Sequence, residues 1–341
     1  MNCGLIGYPL GHSYSPQIHR ALADYDYHLW PLKPEELEAF LVKRNFAGIN
    51  VTIPYKERVI PYLDQLSDTA RAIGAVNTVV NRDGKLYGDN TDLAGMLALI
   101  HRTGLALEGK KVLILGTGGT SKTARAAASQ LGAAEVYCVS RSGRDGAVTY
   151  RQAEKEHRDT ACIINTTPCG MYPNLGGCPV ELDGFHRLEG VVDVIYNPLR
   201  SELVLGARQR GIPAEGGLYM LAAQAAYASA LFRGCEATAG DIELAYRTVL
   251  RQMENIVLIG MPSSGKTTVG RLLAQRTGKE FVDTDALVKQ AVGMPVPDYF
   301  AAKGESAFRE REKEAVASAA ASGGKVIATG GGAVLRPENL R

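Results

Sequence analysis

Residues 111–124 read KVLILGTGGTSKTA. An apolar run leads into a glycine-rich loop and then into residues with helical spacing, which is the order strand, tight turn, helix. Gly116 permits the tight turn, and Gly118 lets the backbone approach a phosphate group at the N-terminus of the helix. Ser121 stands where a third glycine is common, so the stretch is a variant of the dinucleotide fingerprint. It predicts the first strand and helix of a Rossmann-like domain.

The same alternation continues after this stretch. Further apolar strands are predicted at 135–141, 161–168 and 191–198, and a helix is predicted over 201–211. Strands that alternate with helices in this way form parallel sheets with helices on both faces. Residues 105–216 are therefore predicted to form one Rossmann-like nucleotide-binding domain.

The end of the second predicted strand indicates which dinucleotide fits. An NAD-binding domain places Asp or Glu about 20 residues after the glycine loop, where the carboxylate holds the ribose hydroxyl groups. Residues 140–144 read SRSGR instead, with Arg141 between the hydroxyl groups of Ser140 and Ser142. Guanidinium and hydroxyl groups suit a 2′-phosphate. The sequence predicts NADP(H) rather than NAD.

Residues 1–104 show a less regular alternation. The pattern predicts helices over 34–45, around 56–66 and over 92–104, a strand over 48–53 and a hairpin over 75–88. Asp83-Gly84 between two β-rich runs is a strong hairpin signal. These residues are predicted to form a separate α/β domain that binds the substrate and is completed by two alanine-rich helices of about 217–252.

Polar side chains gather at strand ends in three stretches of this domain, GHSYSP (11–16), NVTIPYK (50–56) and GDNTD (88–92). Ser13 and Ser15 are two residues apart in an extended segment and could grip a carboxylate. Lys56 follows an apolar strand, where partial desolvation would suit it as an acid or base. Asp92 could fix its position. Beside a nucleotide-binding domain, these groups predict a functional site.

The order of the motifs resembles that of the shikimate dehydrogenases over residues 1 to about 250. The resemblance is carried by the stretches above and by GAVNT (74–78), GTGGT (116–120), INTTPCGM (164–171), DVIYNP (193–198) and GGLYMLAAQAA (216–226). It implies NADPH-dependent reduction of 3-dehydroshikimate to shikimate in chorismate and aromatic amino acid biosynthesis. Lys56 would supply the proton that neutralises the alkoxide, and Asp92 would orient the lysine and the substrate.

The resemblance also implies a role for individual residues. Ser13 and Ser15 would bind the substrate carboxylate, while the ring hydroxyls would be held by Thr52, Asn77, Asp92 and Gln224, with Tyr196 nearby. NADP(H) would be bound by Gly116, Thr117, Gly118, Gly119, Thr120, Ser140, Arg141, Ser142, Arg144, Val194, Gly217 and, at a position where the family usually has Glu, Asp68.

A second nucleotide loop lies at 255–270, which read NIVLIGMPSSGKTTVG. A strand, the pattern G-x-x-x-x-G-K-[ST] and the start of a helix define a P-loop, in which backbone N–H groups and Lys266 hold phosphates and Thr267 binds Mg²⁺. With FVDTD (281–285), GESAFREREKE (304–314) and KVIATGGGA (325–333), residues 255–341 resemble the first part of a shikimate kinase. The alternative is another small-molecule or nucleotide kinase.

The kinase resemblance implies three sets of residues. ATP would be bound by Gly260, Ser263, Ser264, Gly265, Lys266, Thr267 and Thr268. Magnesium would be bound at Thr267 and Asp283, and shikimate at Asp285, Arg309, Gly331 and Gly332. The later strands, the arginine-bearing lid and the adenine segment of such kinases do not follow in this sequence. The expectation is an incomplete P-loop domain with exposed apolar edges and a mobile C-terminus, in a chain active as dehydrogenase and inactive as kinase.

Composition narrows the class of protein. Apolar residues make up 45% and charged residues 22% of the 341 residues, and the net charge is +2, so nothing indicates nucleic acid or membrane as a partner. The six cysteines form no C-x-x-C pair, which predicts free thiols in a reducing cytoplasm. The longest apolar stretch, 221–232, is too short to span a bilayer. Small molecules are the expected partners, and a homodimer is left open.

Three alternatives to the dehydrogenase remain. A quinate dehydrogenase that uses NAD would favour an acidic residue near position 141 and alter the Ser13/Ser15 pair. A non-catalytic regulator on the same scaffold would tolerate the loss of Lys56 or Asp92, and both are present. A folate-type dehydrogenase of similar architecture would lack the H-S-x-S segment.

Overall fold

A computed structural model of the chain describes residues 1–11 and 13–340. His12, within the predicted GHSYSP stretch, and Arg341 lie outside the described residues. The chain divides into two compact units, Met1–Val249 and Leu250–Arg341. None of the described helices combines the length and the apolar character that a membrane crossing requires.

The first unit contains two six-stranded sheets. The first has the strand order β2-β1-β3-β5-β6-β4, and its elements are β1 Asn2–Gly7, α1 Ser15–Leu22, β2 Asp26–Pro31, α2 Leu37–Lys43, β3 Gly48–Val51, β4 Gln65–Leu66, α3 Asp68–Ile73, β5 Thr78–Arg82, β6 Lys85–Asp89 and α4 Thr91–Arg102. It is a mixed sheet, because β5 runs antiparallel to β3 and β6 while the other pairs are parallel.

The second sheet has the order β12-β11-β10-β7-β8-β9, and all of its pairs are parallel. Its elements and the helices that follow are β7 Lys111–Leu115, α5 Gly119–Gln130, β8 Glu135–Ser140, β9 Val148–Thr149, α6 Tyr150–Glu156, β10 Cys162–Asn165, β11 Gly190–Asp193, α7 Glu202–Gln209, β12 Ala214–Glu215, α8 Leu218–Arg233 and α9 Ala239–Met253. This order is that of a doubly wound sheet, in which ligands bind at the carboxyl ends of the strands.

Both faces of the second sheet are buried. Val112 and Ile114 of β7 pack into one apolar cluster, and Leu113 and Leu115 pack into another on the opposite face. Successive side chains of a strand point to opposite faces, so an uninterrupted apolar run is the pattern that a strand covered on both sides requires. The sequence prediction of buried parallel strands is confirmed here.

Helix α4 supports the site by packing closely on α8. At Gly95, a Cβ atom would lie 2.8 Å from the backbone carbonyl of Met220, so a larger residue would force the two helices apart. Leu99 and Ile100 of α4 join the apolar cluster that also contains Val112 and Ile114 of β7. The close approach brings the first turn of α4 next to the middle of α8, where Asp92 and Gln224 both line one cavity.

The predicted hairpin is confirmed. β5 and β6 pair with Arg82 opposite Lys85, and the two residues between them have φ angles of 52° at Asp83 and 80° at Gly84. Positive φ at both central residues is the requirement of the hairpin turn that matches the twist of the strands, and Asp-Gly satisfies it at low strain.

The helix predicted around 56–66 is wrong. Residues 56–59 form turns, Ile60–Tyr62 is a single 3₁₀ turn, and Gln65 and Leu66 form β4, which pairs with Tyr87 and Gly88. The carboxylate of Asp64 accepts a hydrogen bond from the Leu86 backbone N–H at 2.7 Å. Pro61 also lacks the N–H that a helix would use. Pairing with a strand about 20 residues away therefore prevails over local helical spacing.

The second unit contains a smaller, parallel sheet with the strand order β13-β15-β14. Its elements are β13 Ile256–Leu258, α10 Lys266–Thr277, β14 Glu280–Asp283, α11 Thr284–Val292, α12 Val296–Ala320, which breaks its helical geometry at Gly304, and β15 Lys325–Ala328. Strand β13 lies at an edge, and Val257 and Ile259 are 52% and 63% exposed. The expected exposure of apolar side chains at an edge of this sheet is confirmed.

Candidate active site

A cavity of about 530 Å³ opens in the first unit. It is lined by every residue that the dehydrogenase resemblance assigns to catalysis or substrate binding: Ser13, Ser15, Thr52, Lys56, Asn77, Asp92, Tyr196 and Gln224. Three residues predicted to contact the cofactor also lie on its wall, namely Thr120, Val194 and Gly217. Residues from distant parts of the sequence therefore meet at one cavity that borders the glycine loop.

Lys56 and Asp92 are in direct contact inside this cavity. The ammonium Nζ lies 2.6 Å from the carboxylate Oδ2, and the two side chains are 33% and 16% exposed. The Lys56 backbone is anchored because its carbonyl accepts a hydrogen bond from Val76 N–H at 2.8 Å. Asp92 is held by the Asn90 side chain, which caps α4 and accepts from the Asp92 N–H. The pair presents a proton donor with a fixed position.

Asn77 offers the cavity a hydrogen-bond donor. Its side-chain oxygen already accepts from the Thr91 backbone N–H at 2.7 Å and from the Thr78 hydroxyl at 3.0 Å. Both donors lie at the same end of the amide, which identifies that end as the oxygen. The NH₂ end of Asn77 is therefore the part that can meet a ligand, where it would donate to a hydroxyl oxygen.

Gln224 offers the cavity a hydrogen-bond acceptor, whereas Asn77 offers a donor. Its Nε2 donates to the backbone carbonyl of Leu221 at 3.0 Å, one turn earlier in α8. The amide oxygen is left as the group that can accept from a ligand. With the Asp92 carboxylate as a second acceptor and Asn77 as a donor, the cavity can recognise several hydroxyl groups of one small polyol by their different orientations.

The two serines stand at the start of α1. The Ser13 hydroxyl accepts a hydrogen bond from the Ser15 backbone N–H at 3.2 Å, and the first turn of α1 contains no acidic residue. Hydroxyl groups beside a helix N-terminus favour an anion such as a carboxylate. Tyr14 and Tyr196, whose rings lie 6.4 Å apart edge to face, also line the cavity. Tyr14 stands between the two serines in GHSYSP but was not among the residues predicted to form the site.

A second cavity, of about 910 Å³, lies at the carboxyl ends of β7, β8 and β10. Its lining includes Gly116, Thr117, Ser140 and Arg141, which were predicted to contact NADP(H). Gly116 has a φ of 107°, and a Cβ there would lie 2.8 Å from the Thr166 hydroxyl, so both its conformation and its surroundings require glycine. This arrangement of glycine turn and exposed cation fits a dinucleotide with a 2′-phosphate.

One wall of this second cavity is formed by residues that were not predicted from the sequence. Tyr150 and the segment from Thr167 to Pro179, apart from Met171, Tyr172 and Pro173, contribute to its lining. The signal was present in the INTTPCGM stretch, since residues that directly follow a parallel strand lie at the ligand-binding edge of the sheet.

The remaining predicted cofactor residues line neither cavity. Gly118 and Gly119 form the N-terminus of α5, with open space where a Cβ would stand. Ser142 and Arg144 are exposed in the turn after β8. Asp68 is exposed in the first turn of α3. The roles of these five residues stay predictions.

The second unit has its own cavity, of about 360 Å³, around the P-loop. Its lining includes Ser263, Ser264, Gly265, Lys266, Thr267, Thr268, Asp283, Asp285 and Gly331, all of which were predicted to bind ATP, magnesium or shikimate. The Lys266 ammonium donates to the carbonyls of Gly260 and Met261 at 2.8 Å. These bonds fold the lysine back over its own loop, where a phosphate could replace them.

Two oxygen-bearing side chains at this loop, those of Thr267 and Asp283, could hold a magnesium ion together with a nucleotide phosphate. The Thr267 hydroxyl donates to Asp283 Oδ2 at 3.0 Å. Mg²⁺ in kinases commonly takes one or two protein oxygens and completes its shell with water and phosphate. Among residues 1–11 and 13–340, no cluster of three or more His, Cys, Asp or Glu side chains is arranged to hold a metal.

Arg309 is held by two acidic side chains. Its guanidinium bonds to Glu312 at 2.8 Å and to Glu305 at 3.3 Å, and Glu312 is 1% exposed. The guanidinium also lies against Gly332. Burial, together with the charges of Asp283 and Glu312, raises the pKa of Asp285. Because Glu305 and Glu312 already contact the Arg309 guanidinium, a substrate carboxylate would have to share it with them.

Comparison with known proteins agrees with both parts of the chain. Residues 5–79 match the family model of the shikimate dehydrogenase substrate binding domain, and residues 262–341 match that of shikimate kinase. The shikimate dehydrogenase (NADP(+)) of Halothermothrix orenii is 39% identical over 264 residues, which cover 68% of this chain and 90% of that protein.

Two solved structures extend the comparison to the fold. A chorismate mutase/shikimate 5-dehydrogenase fusion protein from Clostridium acetobutylicum is 30% identical with a TM-score of 0.68, covering 72% of this chain and 96% of that one. The shikimate 5-dehydrogenase of Thermus thermophilus, solved with NADP(H) and shikimate, is 31% identical with a TM-score of 0.64 and covers 72% and 98%. The chain belongs to the shikimate dehydrogenase family, and its C-terminal part matches the shikimate kinase family.

Proposed function

We propose that the first unit reduces 3-dehydroshikimate to shikimate with NADPH, as a step of chorismate and aromatic amino acid biosynthesis. The observation that carries this proposal is the Lys56–Asp92 contact of 2.6 Å inside a cavity whose wall includes Thr120, Val194 and Gly217. A proton donor and the predicted cofactor contacts thus line the same cavity, as hydride transfer to a ketone requires.

Each side chain has a distinct task in this reaction. Ser13 and Ser15 hold the carboxylate of the substrate, while the NH₂ end of Asn77 and the oxygen of Gln224 hold ring hydroxyls. NADPH, when bound, supplies the hydride to the C3 ketone. Lys56 donates a proton from Nζ to the ketone oxygen as negative charge develops there. The Asp92 carboxylate holds the Lys56 ammonium at the required place through their contact of 2.6 Å.

The test of this proposal is NADP⁺ reduction with shikimate and quinate measured in parallel. We expect a higher kcat/KM with shikimate, because a quinate dehydrogenase would alter the Ser13/Ser15 pair and both serines line this cavity. A preference for quinate would identify a quinate dehydrogenase instead. Absence of NADPH formation with both substrates would favour the non-catalytic regulator, although the contact between Lys56 and Asp92 is intact.

We further propose that the second unit binds the phosphates of ATP at the P-loop, with magnesium at Thr267 and Asp283. Shikimate would be held by Asp285, Arg309, Gly331 and Gly332. The support is the cavity around the loop, which brings Lys266, Thr267, Asp283 and Asp285 together. A nucleotide kinase for another small molecule stays the alternative.

We expect the 341-residue chain to bind MgATP without shikimate-dependent ADP release above the ATP-only background. Among the described residues that line the P-loop cavity, Lys266 is the one cation, and Arg309 is tied to Glu312 and Glu305. An additional arginine at the transferring phosphate commonly contributes about 10³–10⁵-fold to phosphoryl transfer. Lys266→Ala is the matched variant and should lose MgATP binding. Robust ADP release by the parent chain would contradict the expectation.

We place the enzyme in the cytoplasm. Each of the six cysteines is a free thiol in the described structure, which agrees with a reducing compartment. A homodimer stays a prediction that the mass in solution would decide.

A further inference from the structure

A buried carboxylate lies behind the two cavities of the first unit. Asp193 is the last residue of β11, pairs in register with Asn165 at the end of β10, and is 0% exposed. Its Oδ1 accepts from the Asn165 side-chain NH₂ and from the Ile195 backbone N–H, both at 3.0 Å. Its Oδ2 accepts from the Ser201 hydroxyl at 2.5 Å. One carboxylate therefore ties together three segments.

The first segment leads to the cofactor cavity. The side-chain oxygen of Asn165 accepts from the backbone N–H of Thr167 at 3.0 Å and from its hydroxyl at 2.7 Å. Thr167 lines the cofactor cavity, and its methyl group lies beside the position of a Cβ at Gly116. Asp193 sets the orientation of the Asn165 amide, because only the NH₂ end can face a carboxylate. The Asn165 oxygen is thereby directed at Thr167.

The second segment leads to the substrate cavity. The bond from Ile195 N–H folds residues 193–195 into a turn, and the Ile195 carbonyl then accepts from Gly217 N–H at 2.8 Å. Val194 and Tyr196, on either side of Ile195, line the substrate cavity together with Gly217. Asp193 therefore fixes the wall that carries Val194, Gly217 and Tyr196.

The third segment starts α7, since Ser201 is the N-cap residue whose hydroxyl accepts from Val204 N–H. The three donors to Asp193 are all uncharged. Burial raises the pKa of Asp193 to about 6, against the lowering effect of its hydrogen bonds to Ser201, Ile195 and Asn165. Burying a carboxyl group without a cationic partner costs folding free energy, but the two oxygens of Asp193 accept hydrogen bonds from three separate donors.

We infer that Asp193 is a positioning residue for the reaction. It fixes the position of Thr167 in the cofactor cavity relative to residues 194–196 in the substrate cavity. The hydride donor and the ketone can then meet at reacting distance. The inference rests on the dehydrogenase activity proposed above. Asp193 lines neither cavity, so it acts through Asn165 and Ile195.

The test compares Asp193→Ala, Asp193→Asn, Ser201→Ala and the control Asn81→Ala. Asn81 is a half-buried side chain that anchors the β5–β6 hairpin by bonds to the Arg44 and Phe46 carbonyls, and it lines neither cavity. Misplacement of reacting groups by about 1 Å can lower a rate about 100-fold. We therefore expect Asp193→Ala to lower kcat by about 10- to 100-fold, with the KM for shikimate changed less than about threefold.

Four further results separate positioning from loss of structure. With shikimate deuterated at C3, the isotope effect on the kcat of its oxidation should rise in Asp193→Ala, because hydride transfer becomes more fully rate-limiting. Asp193→Asn should recover most of kcat, since its oxygen can still accept from Asn165 and Ile195. Ser201→Ala should give an intermediate loss, and Asn81→Ala should lower the melting temperature while kcat stays unchanged.

The outcomes are distinct. A parent-like kcat and isotope effect in folded Asp193→Ala would overturn the inference. Equal losses in Asp193→Ala and Asp193→Asn, without a change in isotope effect, would also overturn it, because they would indicate a structural role only. If Asp193→Ala fails to fold, the comparison of Asp193→Asn with Ser201→Ala decides, and unchanged kcat and isotope effect in Ser201→Ala would count against the inference. Failure of the proposed activity itself would appear as an inactive parent chain.

Discussion

Lys56→Ala is expected to lower the kcat of shikimate oxidation by about 10²–10⁴-fold, the usual contribution of a positioned acid or base. The KM for shikimate should change by less than about threefold. The reason is geometric: the Lys56 ammonium is in the cavity and within 2.6 Å of Asp92, while carboxylate and hydroxyl binding depends on other side chains. The measurement is steady-state NADPH formation at saturating NADP⁺ and varied shikimate.

The matched control is Lys111→Ala. Lys111 is also a half-buried lysine paired with an aspartate, at 2.9 Å from Asp159, but it stands at the start of β7, at the opposite end of the strand from the cavities. Its removal should leave kcat and KM unchanged. A kcat of Lys56→Ala that stays within a few-fold of the parent would exclude Lys56 as the proton donor. A large rise in KM at constant kcat would instead identify Lys56 as a binding residue.

The fold could be predicted from the sequence where its signals are local. Strands β7, β10 and β11 are uninterrupted apolar runs, and each is closed by a glycine or by a polar residue. The hairpin at Asp83-Gly84 is likewise encoded by the two residues that form it. Residues 56–66 could not be predicted in the same way. Their structure depends on pairing between Gln65 and Tyr87 and on the bond from Leu86 to Asp64, which no local pattern contains.

The residues of the candidate site also divide into those with a local sequence signal and those that depend on distant contacts. Residues such as Ser13, Lys56 and Asp92 carry reactive groups next to strand ends, so chemistry and position could be inferred together. Asp193 gave no such signal, because it looks like a single acid within the apolar run VVDV. Its partners Asn165 and Ser201 are 28 and 8 residues away in sequence. Only the register of β10 with β11 brings the amide of Asn165 to the carboxylate.

Arg141→Asp is expected to reverse the cofactor preference of the dehydrogenase. The parent should favour NADP⁺ over NAD⁺ by at least about 10-fold in kcat/KM, which corresponds to about 1.4 kcal/mol. Arg141 lines the cofactor cavity immediately after β8, where a guanidinium can make charge-assisted bonds to the 2′-phosphate of NADP⁺. An aspartate at that position would repel the phosphate and could accept bonds from the ribose hydroxyls of NAD⁺. The measurement is kcat/KM for both cofactors at saturating shikimate.

Two further arginine variants make this result specific. Arg82→Asp introduces the same charge change on the β5–β6 hairpin, where Arg82 stacks over Tyr87, and it should leave the NADP⁺/NAD⁺ ratio as in the parent. Arg144→Asp tests the exposed arginine of the same turn, which does not line the cofactor cavity. A ratio that shifts in Arg144→Asp but not in Arg141→Asp would assign the 2′-phosphate to Arg144. If neither Arg141→Asp nor Arg144→Asp changes the ratio, the arginines of the turn after β8 do not select the cofactor.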